Sequence, residues 1–377
     1  MKIPLSAPDV TEAEIAAVAE VLRGPRLGLG PRMEAFEAAM AEYVGMPHAI
    51  AVSSGTAGLH LCVRALGIGE GDEVIVPSFT FIAVANAVRY ERAVPVFVDI
   101  DPVMLNMDPE KVEAVITPRT RAIVVVHTFG LPAEVQALLE IARRHHLWVI
   151  EDACEAIGAE YDGQKAGSFG DAGVFAFYPN KQITTGEGGM IVVRDPALAR
   201  KMRALRNQGR YDSNDWSQHE DLGYNYRIPE TNCALGLEQL RRIGPILQRR
   251  EAVARAYTEQ LHANADLVLP LMNAPRRRTS WFVYVVRLHR RFAKAQRDAV
   301  FNALTAQGIG CGRYFAPIHL QPCYAAWRRS ADLPVTEFQA ERALALPFFN
   351  RITETEIGQV CQALGEAVSE ASGREIS

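Results

Sequence analysis

The sequence predicts an α/β protein: a mostly parallel central sheet flanked by helices, followed by a smaller C-terminal α/β domain. Two patterns carry this. From about residue 50 to 195, short apolar runs alternate with helical patterns, and several of the runs are apolar throughout, as strands buried on both faces are. Near residue 245 the pattern changes to a long helical stretch, one more apolar strand and two further helices. A chain of 377 residues is also long for one compact domain. The division falls at 245, giving a large domain over 1–245 and a small one over 246–377.

The strands are read in order from "EVIVP" (73–77), "VPVFVDI" (94–100), "RAIVVVH" (121–127), "LWVIEDA" (147–153) and "GVFAFY" (173–178). The helices between them are "GTAGLHLCVRAL" (55–66), "TFIAVANAVRY" (80–90) and "AEVQALLEIARRHH" (133–146). In the first, Leu59, Cys62, Val63 and Leu66 share one helical face. The stretch "GLEQLRRIGPILQRREAVARAYTEQLHA" is helical with a break expected at Gly244-Pro245. After it come the strand "SWFVYVVRL" (280–288), a helix near 292–307 and a last helix from about Thr353. Arg276, Arg277 and Arg278 follow a proline and read as a solvated turn, with a phosphate-binding loop as the minor alternative.

A net charge of −4 argues against a nucleic-acid binder. It leaves a local cationic pocket open. The six cysteines form no CxxC pair and no zinc-type spacing, which fits a reduced compartment and no metal site. The first residues lack a signal-peptide pattern and no apolar run is long enough to span a bilayer, so a cytoplasmic protein without membrane attachment is expected.

Three short stretches could carry chemistry. "SSGTAGLHL" (53–61) offers Ser53, Ser54 and Thr56 as cap residues and Gly55 for close approach. A helix beginning there presents unpaired N–H groups to an anion such as a phosphate. "WVIEDACEA" (148–156) puts Asp152 at the carboxyl end of a buried strand, where open α/β sheets bind ligands. "VFAFYPNKQITTGEGGMIVV" (174–193) reads as strand, turn, strand, with Lys181 in the turn and Gly186, Gly188 and Gly189 after it. Each has an ordinary reading alone: a capped helix, an Asp capping the next helix, a solvated turn lysine. Together they are the three handles of pyridoxal phosphate. The helix end takes the phosphate, the carboxylate takes the pyridinium nitrogen, and the lysine forms the Schiff base. Phe79 or Phe81, just past a strand end, could cover the ring, although each alone reads as core.

At this point the chain resembles the DegT/DnrJ/EryC1/StrS family of sugar aminotransferases, which are fold-type-I pyridoxal phosphate enzymes. The resemblance is carried by "GPRLGLGPRMEAFEAAM" (24–40), "SSGTAGLHL", "VIVPSFTFIAVANAV" (74–88), "VPVFVDID" (94–101) and "IEDACEAIGAEYDG" (150–163). It continues through "GSFGDAGVFAFYPNKQITTGEGGMIVV" (167–193), "LGYNYRIPETNCALGLEQL" (222–240) and "YFAPIHLQPCY" (314–324). It implies that Lys181 carries the cofactor and shuttles protons, and that Asp152 pairs with the ring nitrogen. Gly55 and Thr56 would hold the phosphate and Phe81 would stack on the ring. Asn225 would reach the cofactor phosphate of a neighbouring subunit, so that a homodimer shares its active sites. His319 and Tyr314 would face the sugar nucleotide. Glutamate would be the amino donor and a nucleotide keto-sugar the acceptor.

Two positions depart from the family pattern. Ala176 stands where many relatives have a serine that contacts the phosphate, leaving Asn180 or Thr184 to compensate. Glu155 stands where many have Gln or His beside the cofactor's phenolic oxygen. An ionised carboxylate only accepts hydrogen bonds, so Glu155 is expected near the ring with a raised pKa, protonated, paired with a cation or turned away. Lysine rather than histidine at 181 favours amination over removal of a sugar hydroxyl. A relative acting on a keto-inositol, a cofactor-binding regulator without turnover and a cofactor-free Schiff-base lyase remain as alternatives.

Overall fold

A computed structural model describes residues 2–211, 217–330 and 332–373. Its centre is a seven-stranded sheet, because the apolar runs of the first half have no polar face to give to water. The strands are β1 (His48–Val52), β2 (Glu73–Pro77), β3 (Val94–Val98), β4 (Thr120–Val126) and β5 (Trp148–Asp152). A small hairpin follows, β6 (Glu160–Tyr161) with β7 (Gln164–Lys165), and then β8 (Ala172–Ala176) and β9 (Gly189–Val193). The spatial order is β1-β9-β8-β5-β4-β2-β3. The pairs β3–β2, β2–β4, β4–β5 and β5–β8 are parallel, and β9 runs antiparallel to both β8 and β1.

The expected strands are present, shifted by at most a few residues at their ends, and the sequence reading has no strand at 48–52. Helices Gly55–Ala65 and Ala83–Tyr90 cover one face of the sheet, burying Leu59, Cys62, Val63, Val84 and Val88 in one core. Helix Val135–Arg144 covers the other, where Val135, Leu138 and Ile141 meet the opposite side of β4 and β5. The carboxyl ends of β4, β5 and β8 converge beside the amino end of helix Gly55–Ala65, and this convergence positions the site.

A second sheet holds β10 (Leu267–Val268), β12 (Tyr284–Leu288) and β13 (Ala343–Leu346), all antiparallel. Between β10 and β12, β11 (Arg277–Arg278) pairs with β6 instead. Helices Lys294–Ala306 and Glu354–Ala371 close the second core around Tyr284, Leu304, Leu344 and Leu364. Helix Ile243–Leu261 packs on both cores: Ile243 and Ile246 on the first, Val253, Tyr257 and Leu261 on the second. Residues near the amino end cross over as well. Ile3 forms a bridge with Ile309, Phe348 N–H donates to the Leu5 carbonyl at 2.8 Å, and Ile3 is buried in the second core.

One local expectation needs correction. The helical stretch breaks at Arg242, between helices Glu230–Arg241 and Ile243–Leu261, and not at Gly244-Pro245. Pro245 sits in the first turn of the second helix, where its missing N–H leaves no bond unmade. The arginine run is not simply solvated either. Arg276 pairs with Asp162 and Arg277 with Glu134, and both guanidinium groups lie against the Tyr161 ring, at 4.8 and 4.9 Å from its centroid. These contacts clasp β11 to the β6–β7 hairpin.

Candidate active site

The anion cradle forms where β1 hands over to helix Gly55–Ala65. Ser54 has extended backbone and is the cap, its Oγ accepting the Ala57 N–H at 3.1 Å. The first-turn N–H groups of Gly55 and Thr56 have no helical carbonyl to bond, and both residues line a cavity. Space is tight: a Cβ on Gly55 would lie 2.7 Å from the Ala176 Cβ and 2.9 Å from the Cys154 Sγ. A Cβ on Gly189 would lie 2.6 Å from the Ser54 carbonyl. Gly189 therefore lets β9 pass directly behind the cradle.

Asp152 ends β5, is buried, and its Oδ1 accepts the Cys154 N–H at 3.0 Å. Strand alternation sends the preceding Glu151 to the opposite face. There its carboxylate accepts N–H bonds from Phe169 (2.6 Å), Gly170 (2.7 Å) and Gly167 (2.8 Å), and meets His127 Nε2 at 2.8 Å. His127 Nδ1 in turn accepts the Ala133 N–H at 3.1 Å, which leaves the ring proton on Nε2 to donate to Glu151. The His127 N–H donates to the Asp152 carbonyl at 3.1 Å, so this network also fixes the backbone that carries Asp152.

Lys181 lies in the turn after β8, its N–H donating to the Tyr178 carbonyl at 2.9 Å. The Lys181 Nζ is 3.6 Å from Glu155 Oε1 and 4.0 Å from the centroid of the Phe282 ring. The other oxygen of Glu155 accepts the Phe129 N–H at 2.9 Å. Glu155 is buried and faces the lysine rather than solvent. Burial lifts its carboxyl above the ordinary range, opposed by the charge of Lys181 and the Phe129 N–H.

The cradle, Asp152, Glu155 and Lys181 line one cavity of ≈ 490 Å³. Ser54, Gly55 and Thr56 form one end, Asp152, Cys154 and Glu155 the floor, and Ala176, Tyr178, Asn180 and Lys181 a wall. Phe282, Tyr314 and Phe315 close it from the second half of the chain, with Tyr314 stacked on Phe315 at 5.2 Å and on Phe282 at 6.3 Å. Burial raises the Tyr314 phenol, as does the nearby Glu155 charge, and a hydrogen bond with Asn180 offsets part of this. Phe81 stands at the rim, 61 % exposed. A larger groove of ≈ 690 Å³ by Arg143, Trp148 and Asp171 lies at the other end of β5 and holds none of the three handles.

The two proposed substitutes for the missing serine separate clearly. Thr184 Oγ1 is spent inside its turn, donating to the Phe177 carbonyl at 3.0 Å and accepting the Gly186 N–H at 2.9 Å. Asn180 lines the cavity, and its buried Oδ1 has no partner among the described residues.

His319, expected at the sugar-nucleotide side, does not line this cavity, and Asn225, expected to serve a neighbouring subunit, lies outside it as well. His319 is buried, with Nδ1 2.7 Å from Ser78 Oγ and Nε2 3.1 Å from Glu337. It fastens the end of β2 to the second half of the chain. Asn225 is exposed, on the far side of the cradle. Its neighbours turn inward: the Tyr224 hydroxyl donates to Glu91 at 2.8 Å and the Tyr226 hydroxyl is 3.0 Å from His60 Nδ1. Asn225 therefore points outward by strand-like alternation. Phe282, Thr80, Tyr178 and Glu187 also line the cavity and are absent from the sequence reading. Only the aromatic doublet at 281–282, opening a strand, hints at Phe282.

The arrangement fits pyridoxal 5′-phosphate. A helix end without a side chain in the way, a buried carboxylate and a lysine share one cavity, and an unpartnered buried amide oxygen awaits a polar group. Among the described residues no group of three metal-ligating side chains occurs, and no helix is long and apolar enough to cross a membrane.

Comparison with known proteins agrees. A model of the DegT/DnrJ/EryC1/StrS aminotransferase family matches residues 8–365. The GDP-perosamine synthase of Caulobacter vibrioides is 46 % identical over 333 residues, covering 88 % of this chain and 89 % of that protein. Among solved structures, S. venezuelae DesV is 38 % identical with a TM-score of 0.89, over 97 % of this chain and 98 % of that one. The PLP-form of the putative sugar aminotransferase Spr1654 from Streptococcus pneumoniae is 26 % identical with a TM-score of 0.92, over 98 % and 99 %.

Proposed function

This chain belongs to the DegT/DnrJ/EryC1/StrS aminotransferase family, and on that footing we propose that it moves an amino group from glutamate to a keto-sugar carried on a nucleoside diphosphate, using pyridoxal 5′-phosphate. The observation that carries the reading is the cavity in which the Ser54–Thr56 helix start, Asp152 and Lys181 meet.

Bound there, the cofactor supplies an aldehyde for imine exchange with amines and a ring that accepts the electron pair of a broken C–H bond. Gly55 and Thr56 would hold the phosphate through backbone N–H groups, and only the side-chain N–H of Asn180, not its free Oδ1, could donate the contact that Ala176 lacks. Asp152 binds the ring nitrogen and Phe81 covers the ring. Lys181 would hold the cofactor through its amine and, when that amine is free, would take the proton from the α-carbon of the donor. With the acceptor it works in reverse. Tyr314, which lines the cavity, would face the sugar; His319 would act at a distance, through Ser78 and Glu337.

A homodimer with shared active sites is part of the proposal. The outward Asn225, the rim residues Phe81 and Tyr178, and the exposed Leu222 beside Asn225 support it. The biosynthetic role and small soluble substrates favour the cytoplasm. The test is a transamination screen with glutamate and a panel of nucleotide 3-keto and 4-keto sugars. Amination of one panel member is expected. Conversion of a keto-inositol alone would replace the sugar reading. A bound cofactor that glutamate leaves unchanged would indicate a regulator without turnover.

A further inference from the structure

The closed ring of contacts around the Lys181 amine is not accounted for by holding a cofactor. Glu155 Oε1 lies on one side of Nζ at 3.6 Å, and the face of Phe282 on another with its centroid at 4.0 Å. Both are held in place by the same residue, Phe129. Glu155 Oε2 takes the Phe129 N–H at 2.9 Å, and the Phe282 N–H donates to the Phe129 carbonyl at 3.2 Å, so one residue fixes both. Gln182, next to Lys181, ties the same groups together: its Nε2 donates to the Glu155 carbonyl at 2.6 Å and to Ser280 Oγ at 3.0 Å. Phe129 has the left-handed backbone (φ 58°) that turns its N–H and carbonyl toward these partners. The other titratable groups that face the amine are Asp152, Cys154 and Tyr314.

A carboxylate and an aromatic face share one preference: both attract a cation and neither offers anything to a neutral amine lone pair. We propose that Glu155 and Phe282 form a seat for the protonated amine of Lys181, stabilising the positive charge that develops on Nζ when the lysine takes a proton during the reaction. The inference rests on Lys181 being the cofactor lysine. The step balances simply: the amine takes the proton, the C–H electron pair stays with the substrate and ring, and the charge on nitrogen is met by Glu155 and Phe282. Glu155, where the family pattern has a neutral or basic residue, thereby acquires a function suited to an acid. Phe282 draws the second half of the chain into the chemistry.

Glu155→Gln keeps an oxygen for the Phe129 N–H and removes the charge. Phe282→Leu keeps the bulk and removes the ring. In protein freed of cofactor, the rate at which a neutral acylating reagent modifies Lys181 is read by peptide mass spectrometry, with Lys294 as internal reference. Both variants should label severalfold faster than the parent near pH 7, and the difference should narrow as the pH is raised beyond the ordinary lysine value of about 10.4. In the holoenzyme, the loss of visible absorbance on mixing with glutamate should slow by roughly tenfold to a hundredfold in each variant. Equal labelling of parent and Glu155→Gln near pH 7 overturns the seat, and so does a labelling difference that persists unchanged as the pH is raised. Borohydride reduction of the holoenzyme and peptide mapping test the underlying reading separately. Cofactor fixed on another lysine overturns that reading; cofactor on Lys181 with equal labelling overturns the seat alone.

Discussion

Glu151 and Asp152 are adjacent carboxylates, the last two residues of β5, and the fold treats them in opposite ways. Glu151 points away from the cavity and is met by three backbone N–H groups and His127. Asp152 points into the cavity with one backbone N–H on one oxygen. A buried charge surrounded by donors has no capacity left for a ligand, whereas one that is only partly satisfied has. The first carboxylate therefore builds the strand end and the second works at it. The strand-end position singles out Asp152 in the sequence; the surrounding donors show what Glu151 does instead.

Substitutions can break this contrast. The largest effect belongs to Lys181→Ala, which should lower turnover by about four orders of magnitude or more while leaving the melting temperature close to the parent's, measured by single turnover with glutamate and by calorimetry. Next, Asp152→Asn should cost on the order of a thousandfold in the same assay with little change in stability. Glu151→Gln should do the reverse. It puts an amide donor against N–H groups that need an acceptor, and should destabilise by about 3–5 kcal/mol in urea unfolding. Equal stability losses in the two variants would erase the distinction. A smaller gain is expected of Ala176→Ser, which restores a hydroxyl beside the cradle and should tighten cofactor binding by roughly tenfold in an absorbance titration.

The last prediction sharpens the contrast by pH. Glu14 is a third buried carboxylate of the satisfied kind. Burial alone would raise its pKa, but Thr11, Arg242 and Gln239 hold it at about 2, against an ordinary 4.5. A carboxyl lowered on folding adds stability above its unfolded value and loses it as pH falls through the folded one. Glu14→Gln should therefore flatten the decline in stability between about pH 4.5 and 2, followed by the urea midpoint across pH. Glu155, whose carboxyl is raised, has the opposite sign: between the ordinary and the raised value, its ionisation costs stability as pH increases.

The central sheet was legible in the sequence because its strands are apolar on both faces and their spacing leaves room only for crossover helices. The cradle and Asp152 were legible because each sits at a strand end, where a local pattern reports a position in the fold. Lys181 became legible through them. What local pattern does not carry is pairing at a distance. Phe282 stands 101 positions after Lys181 (282 − 181) and is placed against it by its own N–H bond to the Phe129 carbonyl and by the bond from Gln182 Nε2 to the nearby Ser280 Oγ. His319 matched a motif, yet its ring is held by Ser78 and Glu337. The break at Arg242 escaped because Gly-Pro is the stronger local signal, and only the packing of Ile243 on the first core shows that the second helix has already begun.

The position of Ile3 sets an order on folding. Lys2 N–H donates to the Gly308 carbonyl at 2.8 Å, Ile3 bridges Ile309, and Asp9 meets Arg242 and Arg351 at 3.2 and 3.0 Å. Residues 2–9 are thus docked onto a layer drawn from residues 242–351. The first lobe can assemble during synthesis, but residues 2–9 must stay undocked until roughly three hundred residues later, as befits contacts of such long sequence separation. Completion of the second lobe is the event that ties them down, so a bulky substitution at Ile3 would be felt first there, far along the sequence from where it is made.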